Sequence, residues 1–367
     1  MAPRPRALEL ETVPESDREG DLLHPREQLE LYGHESACRA LAQAARSGQL
    51  HHAWIIAGPK GVGKATLAWR FVRSLLAHGP QDCNDELTIG DDHPVRRQIA
   101  ALSHPDLILL RRPWDFTLKK FKTDLPVEEV RRLRGFFSRH SSFGGARIAV
   151  VDCADDMNLN SQNALLKILE EPPKGALLLL ISHAPGALLA TTRSRCRMLT
   201  LRALSHDATR KAVGQLRPGL RDDELELVSG LAGGAPGRAL AFAEAGAAEM
   251  YRDVVELLGA LPRMDAGRVF AFAEKTAKLP AENGMRLFST LLMQIEERLL
   301  RGSFGVRHTL TSEHALMNRL QQVMTLESWQ QLWEKLRQDS GRAYDLNLDK
   351  KQHILNTLFA IEAAAQH

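Results

Sequence analysis

Short apolar runs separated by helix-length segments constrain this chain more than any other feature. Residues 53–57, 107–110, 148–151, 177–181 and 198–201 form such runs, each bounded by turn formers or polar residues. A strand wetted on one face alternates polar and apolar residues, so near-continuous apolar runs mark strands buried on both faces, as in a parallel sheet. Between them Leu67, Phe71, Leu75 and Leu76 share one helical face, and Leu165, Ile168 and Leu169 share another that stops at Pro172 and Pro173. Pro126 ahead of Val127, Val130 and Leu133 predicts a further helix with proline in its first turn. Strand and helix in alternation make residues 24–203 an α/β domain with a parallel five-stranded sheet.

Beyond Arg202 the strand runs cease, and Ala, Leu, Glu and Arg recur at helical spacing. A small helical unit is expected over 204–247, around the turn Gly233-Gly234-Ala235-Pro236-Gly237. A larger bundle is expected over 248–367, containing Leu287, Leu291, Leu292, Ile295, Ile354, Leu358 and Ile361. Several domains suit 367 residues, because single cores stop growing near about 250–300 residues. Residues 1–23 mix Pro, Arg, Glu and Asp without an apolar region, which predicts a solvated, disordered tail and no secretory signal. No apolar stretch reaches the roughly 18–20 residues of a membrane span. A net charge of +3 is too small to argue for nucleic-acid binding. Cys38, Cys83, Cys153 and Cys196 never form a CxxC pair, so neither a zinc ribbon nor a disulfide scaffold is indicated and a reducing cytosol is expected.

Gly58-Pro59-Lys60-Gly61-Val62-Gly63-Lys64 follows the first apolar run and opens a helix. That is the context a phosphate-binding loop requires. Glycines let consecutive N–H groups converge on phosphate oxygens, the helix N-terminus adds partial positive charge, and Lys64 neutralises the outer phosphates. Glycines alone would also serve a tight strand-to-helix turn. The next position needs a hydroxyl for Mg²⁺, but Ala65 occupies it and Thr66 comes one residue late. One helical residue is a rotation of about 100°, so Thr66 is expected to point away.

Val150-Val151-Asp152 ends the third run with a carboxylate suited either to ordering a magnesium shell or to capping a turn. Cys153 follows, where ATPases of the AAA+ type usually place a water-polarising glutamate. A neutral thiol cannot take that role, and a neighbouring acid disfavours the thiolate. Asp155 and Asp156 lie on the loop beyond.

The run NALLKILEEPP over 163–173, with Thr192-Arg193-Ser194-Arg195-Cys196 downstream and Tyr32-Gly33-His34-Glu35 and His51-His52-Ala53 upstream, closely resembles the delta-prime family of DNA polymerase III clamp-loader subunits. Tau/gamma subunits and replication factor C small subunits are its relatives. The resemblance covers residues 24–241. It implies an AAA+ P-loop domain over 24–203, a helical lid over 204–247 and an oligomerising collar over 248–367. It also implies a place in a hetero-oligomeric ring with tau/gamma motor subunits and delta, acting on the sliding clamp and primed DNA in a cytoplasmic replisome, with no membrane partner.

By the same resemblance Arg195 is an arginine finger acting in trans on a neighbour's ATP, although a basic loop bridging to an acid is what Arg193, Arg195 and Arg197 suggest by themselves. Ser182 or His183 falls at the sensor position after the fourth strand. Arg238 lies one step beyond the lid position where active relatives carry arginine, and Gly237 fills that position here. ATP or ADP is the nucleotide the loop implies, Mg²⁺ lacks its ligands, and little turnover is expected of the isolated chain. A catalytically active tau/gamma-like ATPase is the alternative. The four-cysteine zinc module of many relatives is reduced to Cys83 among His78, His93 and His104, and neither zinc nor any other protein-held metal site is expected in the chain.

Overall fold

The computed structural model describes all residues except 1–12, 21, 142–144, 281–283, 302–310, 347 and 367. The chain divides into two compact units, with the boundary between Ala203 and Leu204.

The first unit runs α1 (Glu35–Arg46), β1 (Ala53–Ala57), α2 (Lys64–His78), α3 (Pro94–Ala100), β2 (Leu107–Leu110), β3 (Trp114–Asp115), β4 (Lys120–Phe121), α4 (Val127–Phe137), β5 (Arg147–Asp152), α5 (Leu159–Glu170), β6 (Ala176–Ser182), α6 (Ala190–Ser194) and β7 (Arg197–Thr200). Five strands form one parallel sheet in the order β2-β5-β6-β1-β7. Period-two alternation explains the apolar runs. Trp54, Ile56, Val150, Leu179 and Ile181 face a core closed by α1, α2 and α3, while Ile55, Ala149, Val151, Leu178 and Leu180 face a core closed by α4 and α5. The β3–β4 hairpin was not anticipated, because two-residue strands carry no periodicity.

Helix ends follow local chemistry. Asn158 caps α5 by accepting from the Ser161 amide, and Glu128 and Glu129 sit in the first turn of α4 behind Pro126. The expectation of a disordered tail through residue 23 needs correction for residues 13–20, 22 and 23. Glu15 pairs with Arg26 and Arg111, Asp17 pairs with Arg111 and His24, and the Asp17 side chain is fully buried. Alternating charge looked solvated in the sequence, but each acid has a basic partner supplied from elsewhere in the unit. Residues 1–12 and 21 lie outside the described residues.

The second unit is helical: α7 (His206–Leu216), α8 (Asp222–Leu231), α9 (Pro236–Glu244), α10 (Ala247–Gly259), α11 (Ala266–Ala277), α12 (Met285–Arg301), α13 (Thr311–Val323), α14 (Leu326–Asp345) and α15 (Lys350–Ala364). Gly233 and Gly234, both at positive φ, turn the chain between α8 and α9. Helix α10 packs on α8 and α9 and also on α12 and α13, so residues 204–247 and the helices beyond them share one compact unit. Leu287, Leu291, Leu292, Ile295, Ile354, Leu358 and Ile361 are all buried. Among the described residues no helix is long and apolar enough to cross a membrane.

Candidate nucleotide site

Parallel registry places the carboxyl ends of β1, β5 and β6 side by side: Ala57 stands opposite Ser182, and Asp152 opposite Ile181. Loops leaving those ends therefore converge, at the edge where open α/β sheets bind ligands. The loop after β1 is shaped by glycine. Gly58 has φ +145°, and a Cβ there would lie 2.4 Å from the Leu201 carbonyl oxygen. Gly61 and Gly63 adopt φ +79° and +111°. Val62 is buried, and its carbonyl lies 3.0 Å from His34 Nε2, which ties the Tyr32–Glu35 segment to the loop.

Lys64 opens α2 and is buried, with Nζ donating to the carbonyls of Gly58 and Pro59 at 2.7 Å each. Burial lowers its pKa to about 8, against the opposing pull of Cys153, Asp152 and Asp155. Ala65 packs against the core on the α1–α3 side of the sheet, beside Thr66. Lys60, at the tip of the loop, pairs with Glu19 at 2.8 Å.

The loop after β5 is organised by side chains. Asp152 is buried, and its carboxyl is pushed up to about 7 by desolvation, with Asp17 and Asp156 adding and Lys64 and Arg111 opposing. Cys153 donates its S–H to Asp155 Oδ2 at 3.0 Å, and burial followed by Asp155 drives the thiol far above its ordinary range. Asp155 turns back toward β6. Its Oδ1 accepts from the Ser182 hydroxyl, and its Oδ2 accepts from the amides of His183 and Ala184. Burial works to raise the Asp155 pKa, but the hydrogen bonds from Ser182, Cys153, His183 and Ala184 outweigh it and hold the carboxyl low. His183 is depressed to about 4, first by partial desolvation of its ring at an otherwise exposed position and then by Lys64.

A polyphosphate fits the first loop, where the turns of Gly58, Gly61 and Gly63 and the ammonium of Lys64 form a cradle. Magnesium does not fit the second. Ala65 offers no side-chain oxygen, Cys153 replaces a carboxylate with a thiol, and the Asp152 carboxyl is pushed up to about 7.

Arg195 caps the C-terminus of α6. Its guanidinium bonds Glu170 Oε1 at 3.0 Å and the Thr191 carbonyl at 3.1 Å. The three neighbouring arginines are thereby distinguished. Arg193 donates to the carbonyls of Pro185, Gly186 and Leu188, and Arg197 lies over the Trp54 ring at 5.1 Å. Arg195 is the one whose side-chain partner is a half-exposed carboxylate. Arg238 belongs to the second unit, in the first turn of α9 and 5.1 Å from the Phe242 ring, where burial lowers its pKa.

The structure therefore brings together Lys64, Asp152, Cys153 and Ser182 of the expected residues. His183, the other candidate for the sensor position, lies with them; the structure adds Asp155 beside them, Glu19 against Lys60, and Glu170 against Arg195. Glu170 lies in the LEEPP run, the one sequence signal that could have pointed to it.

A parallel sheet in this strand order, with a phosphate loop after β1 and an aspartate ending β5, defines a P-loop NTPase fold of the AAA+ type. Residues 33–205 match the family described as DNA polymerase III, delta subunit. This part of the chain is similar to the clamp-loader delta-prime subunits. DNA polymerase III subunit delta' of Pseudomonas aeruginosa is 32% identical over 215 residues, covering 59% of this chain and 62% of that protein. The Escherichia coli delta' subunit is 33% identical over 204 residues, covering 55% and 57%. A gamma/tau subunit of Mycobacterium bovis is 26% identical over 322 residues, covering 83% and 50%. The chain thus spans about three fifths of the length of the two delta' relatives.

Proposed function

We propose that this chain is a non-hydrolysing, delta-prime-type stator of a DNA polymerase III clamp loader, contributing Arg195 to the ATP site of a neighbouring motor subunit. One observation carries the reading: an intact phosphate cradle stands beside a β5 loop that has lost the groups for metal and water activation. Arg195 supports the second part. A guanidinium set against a transferring phosphoryl group stabilises charge that develops in the transition state, typically worth about 10³–10⁵ in rate. Glu170 holds Arg195 in one orientation, and an exposed pair of this kind is weak enough to be exchanged for a phosphate.

In this reading residues 204–247 act as the lid and 248–367 as the collar that joins tau/gamma and delta subunits, and the ring loads the sliding clamp onto primed DNA. Ser182 and Arg238 are the remnants of two nucleotide sensors. Ser182 gives its hydroxyl to Asp155 instead.

The test is reconstitution with motor and delta subunits, followed by DNA-stimulated ATP hydrolysis with Arg195→Ala. We expect the ring to form and hydrolysis at the adjoining site to fall by about 10³ or more. Unchanged hydrolysis removes Arg195 from this role. Brisk ATP turnover by the isolated chain, lost in Lys64→Ala, would instead favour a tau/gamma-like motor.

A further inference from the structure

Among the described residues, one group of side chains combines sulfur, imidazole and carboxylate donors at short range: Cys153, Asp155 and His183, whose ligand atoms all lie within 4.8 Å of one another. We propose that these three residues bind a zinc ion, with solvent as fourth ligand, clipping the loop after β5 to the loop after β6.

The donor set selects the metal. Thiolate with imidazole and a single carboxylate suits Zn²⁺, whereas Mg²⁺ takes oxygen ligands in an octahedron. The scaffold places the donors. Asp152 and Ile181 are register partners in the sheet, so Cys153, one residue beyond the first, and His183, two beyond the second, leave neighbouring strand ends together. Tetrahedral zinc holds its ligand atoms roughly 3.3–3.7 Å apart, given bonds of about 2.0–2.3 Å. Cys153 Sγ already lies 3.0 Å from Asp155 Oδ2, and His183 sits at an exposed position at the end of β6.

Asp155 is oriented as metal-binding carboxylates are, by donors behind it: the Ser182 hydroxyl and the amides of His183 and Ala184. On ligation the Cys153 S–H proton passes to solvent and its sulfur lone pair forms the bond to zinc. The S–H···O contact becomes a shared cation, and nothing is oxidised or reduced. The sequence predicts no zinc anywhere in the chain, and this cluster lies apart from the Cys83 region on which that expectation rests. Cys83 is buried and donates to the Gly79 carbonyl. The proposal rests on this chain's own donors and not on the clamp-loader reading.

The experiment uses the purified full chain, stripped with chelator, reloaded with zinc, desalted and measured for bound metal. A parallel cobalt(II) titration is followed by absorption. We expect one equivalent of zinc and a near-ultraviolet thiolate-to-cobalt charge-transfer band. Cys153→Ser should abolish the band, and His183→Ala should weaken zinc binding at least about tenfold. His93→Ala, outside the cluster, should change neither. Should Cys153→Ser fail to fold, His183→Ala at an exposed position decides alone. Absence of retained zinc, or His183→Ala holding the same equivalent with the same cobalt band, overturns the site.

Discussion

The loops after β1 and β5 leave the same edge of the same sheet, one strand apart, and are built on opposite principles. The first is backbone: glycines at positive φ, and a lysine that answers to its own loop's carbonyls. The second is side chain: a buried aspartate, a thiol, and an aspartate turned onto the neighbouring strand. Glycine at residue 58 serves the fold as well as any phosphate, because the backbone of Leu201 leaves no space for a Cβ. The groups that activate magnesium and water serve chemistry alone. On the proposed reading the second loop lacks those groups, and the sheet that carries it is intact.

The largest expected effect tests the first half of that contrast. Gly58→Ala meets backbone, not a flexible side chain, and should destabilise the first unit by about 4–5 kcal/mol or more, read from denaturant midpoints. A loss under about 1 kcal/mol would mean that this loop is as tolerant as its neighbour. Next comes Asp17→Ala, which leaves the buried side of Arg111 without one carboxylate. The expected loss is about 3 kcal/mol. Glu15 and Asp17 both have depressed carboxyl pKa values, so their contribution is complete above about pH 4–5 and is lost as pH falls through the folded values. In Asp17→Ala the acid side of the melting profile should flatten.

Asp152 has the opposite sign. Its folded pKa, about 7, lies above the unfolded value, so its stabilising protonation is complete below about pH 4 and is lost as pH rises through 7. Relative to the wild type, Asp152→Asn should gain melting temperature from about pH 5 to pH 7 and level off above that, by several degrees for a unit of this size. A difference that does not grow with pH would show the carboxylate to be solvated after all. The smallest effect is at Glu170→Gln, which should alter stability by less than about 0.5 kcal/mol because the Arg195 pair is half exposed. In a reconstituted ring it should still lower DNA-stimulated hydrolysis severalfold if Glu170 orients the guanidinium. Unchanged hydrolysis would reduce Glu170 to a resting partner.

The sheet was legible because burial on both faces removes polar residues from a strand, and each of the five apolar runs overlaps an observed strand. The phosphate loop was legible because its requirement is stated in adjacent residues. The segment 13–20 was not. Its acids look solvated until Arg26 and Arg111 arrive from distant positions to pair with them.

From its order of residues alone, the chain determined an α/β sheet carrying a glycine-shaped phosphate cradle and a helical second half, since periodicity, turn chemistry and backbone strain are local. Tertiary structure alone decided that Asp155 would turn from the loop to Ser182, that Cys153 would meet His183, and that Arg195 would lean on Glu170. Those meetings depend on which strand ends and helix ends lie beside each other, and sheet order is fixed by packing across the whole unit, which no short window of sequence contains.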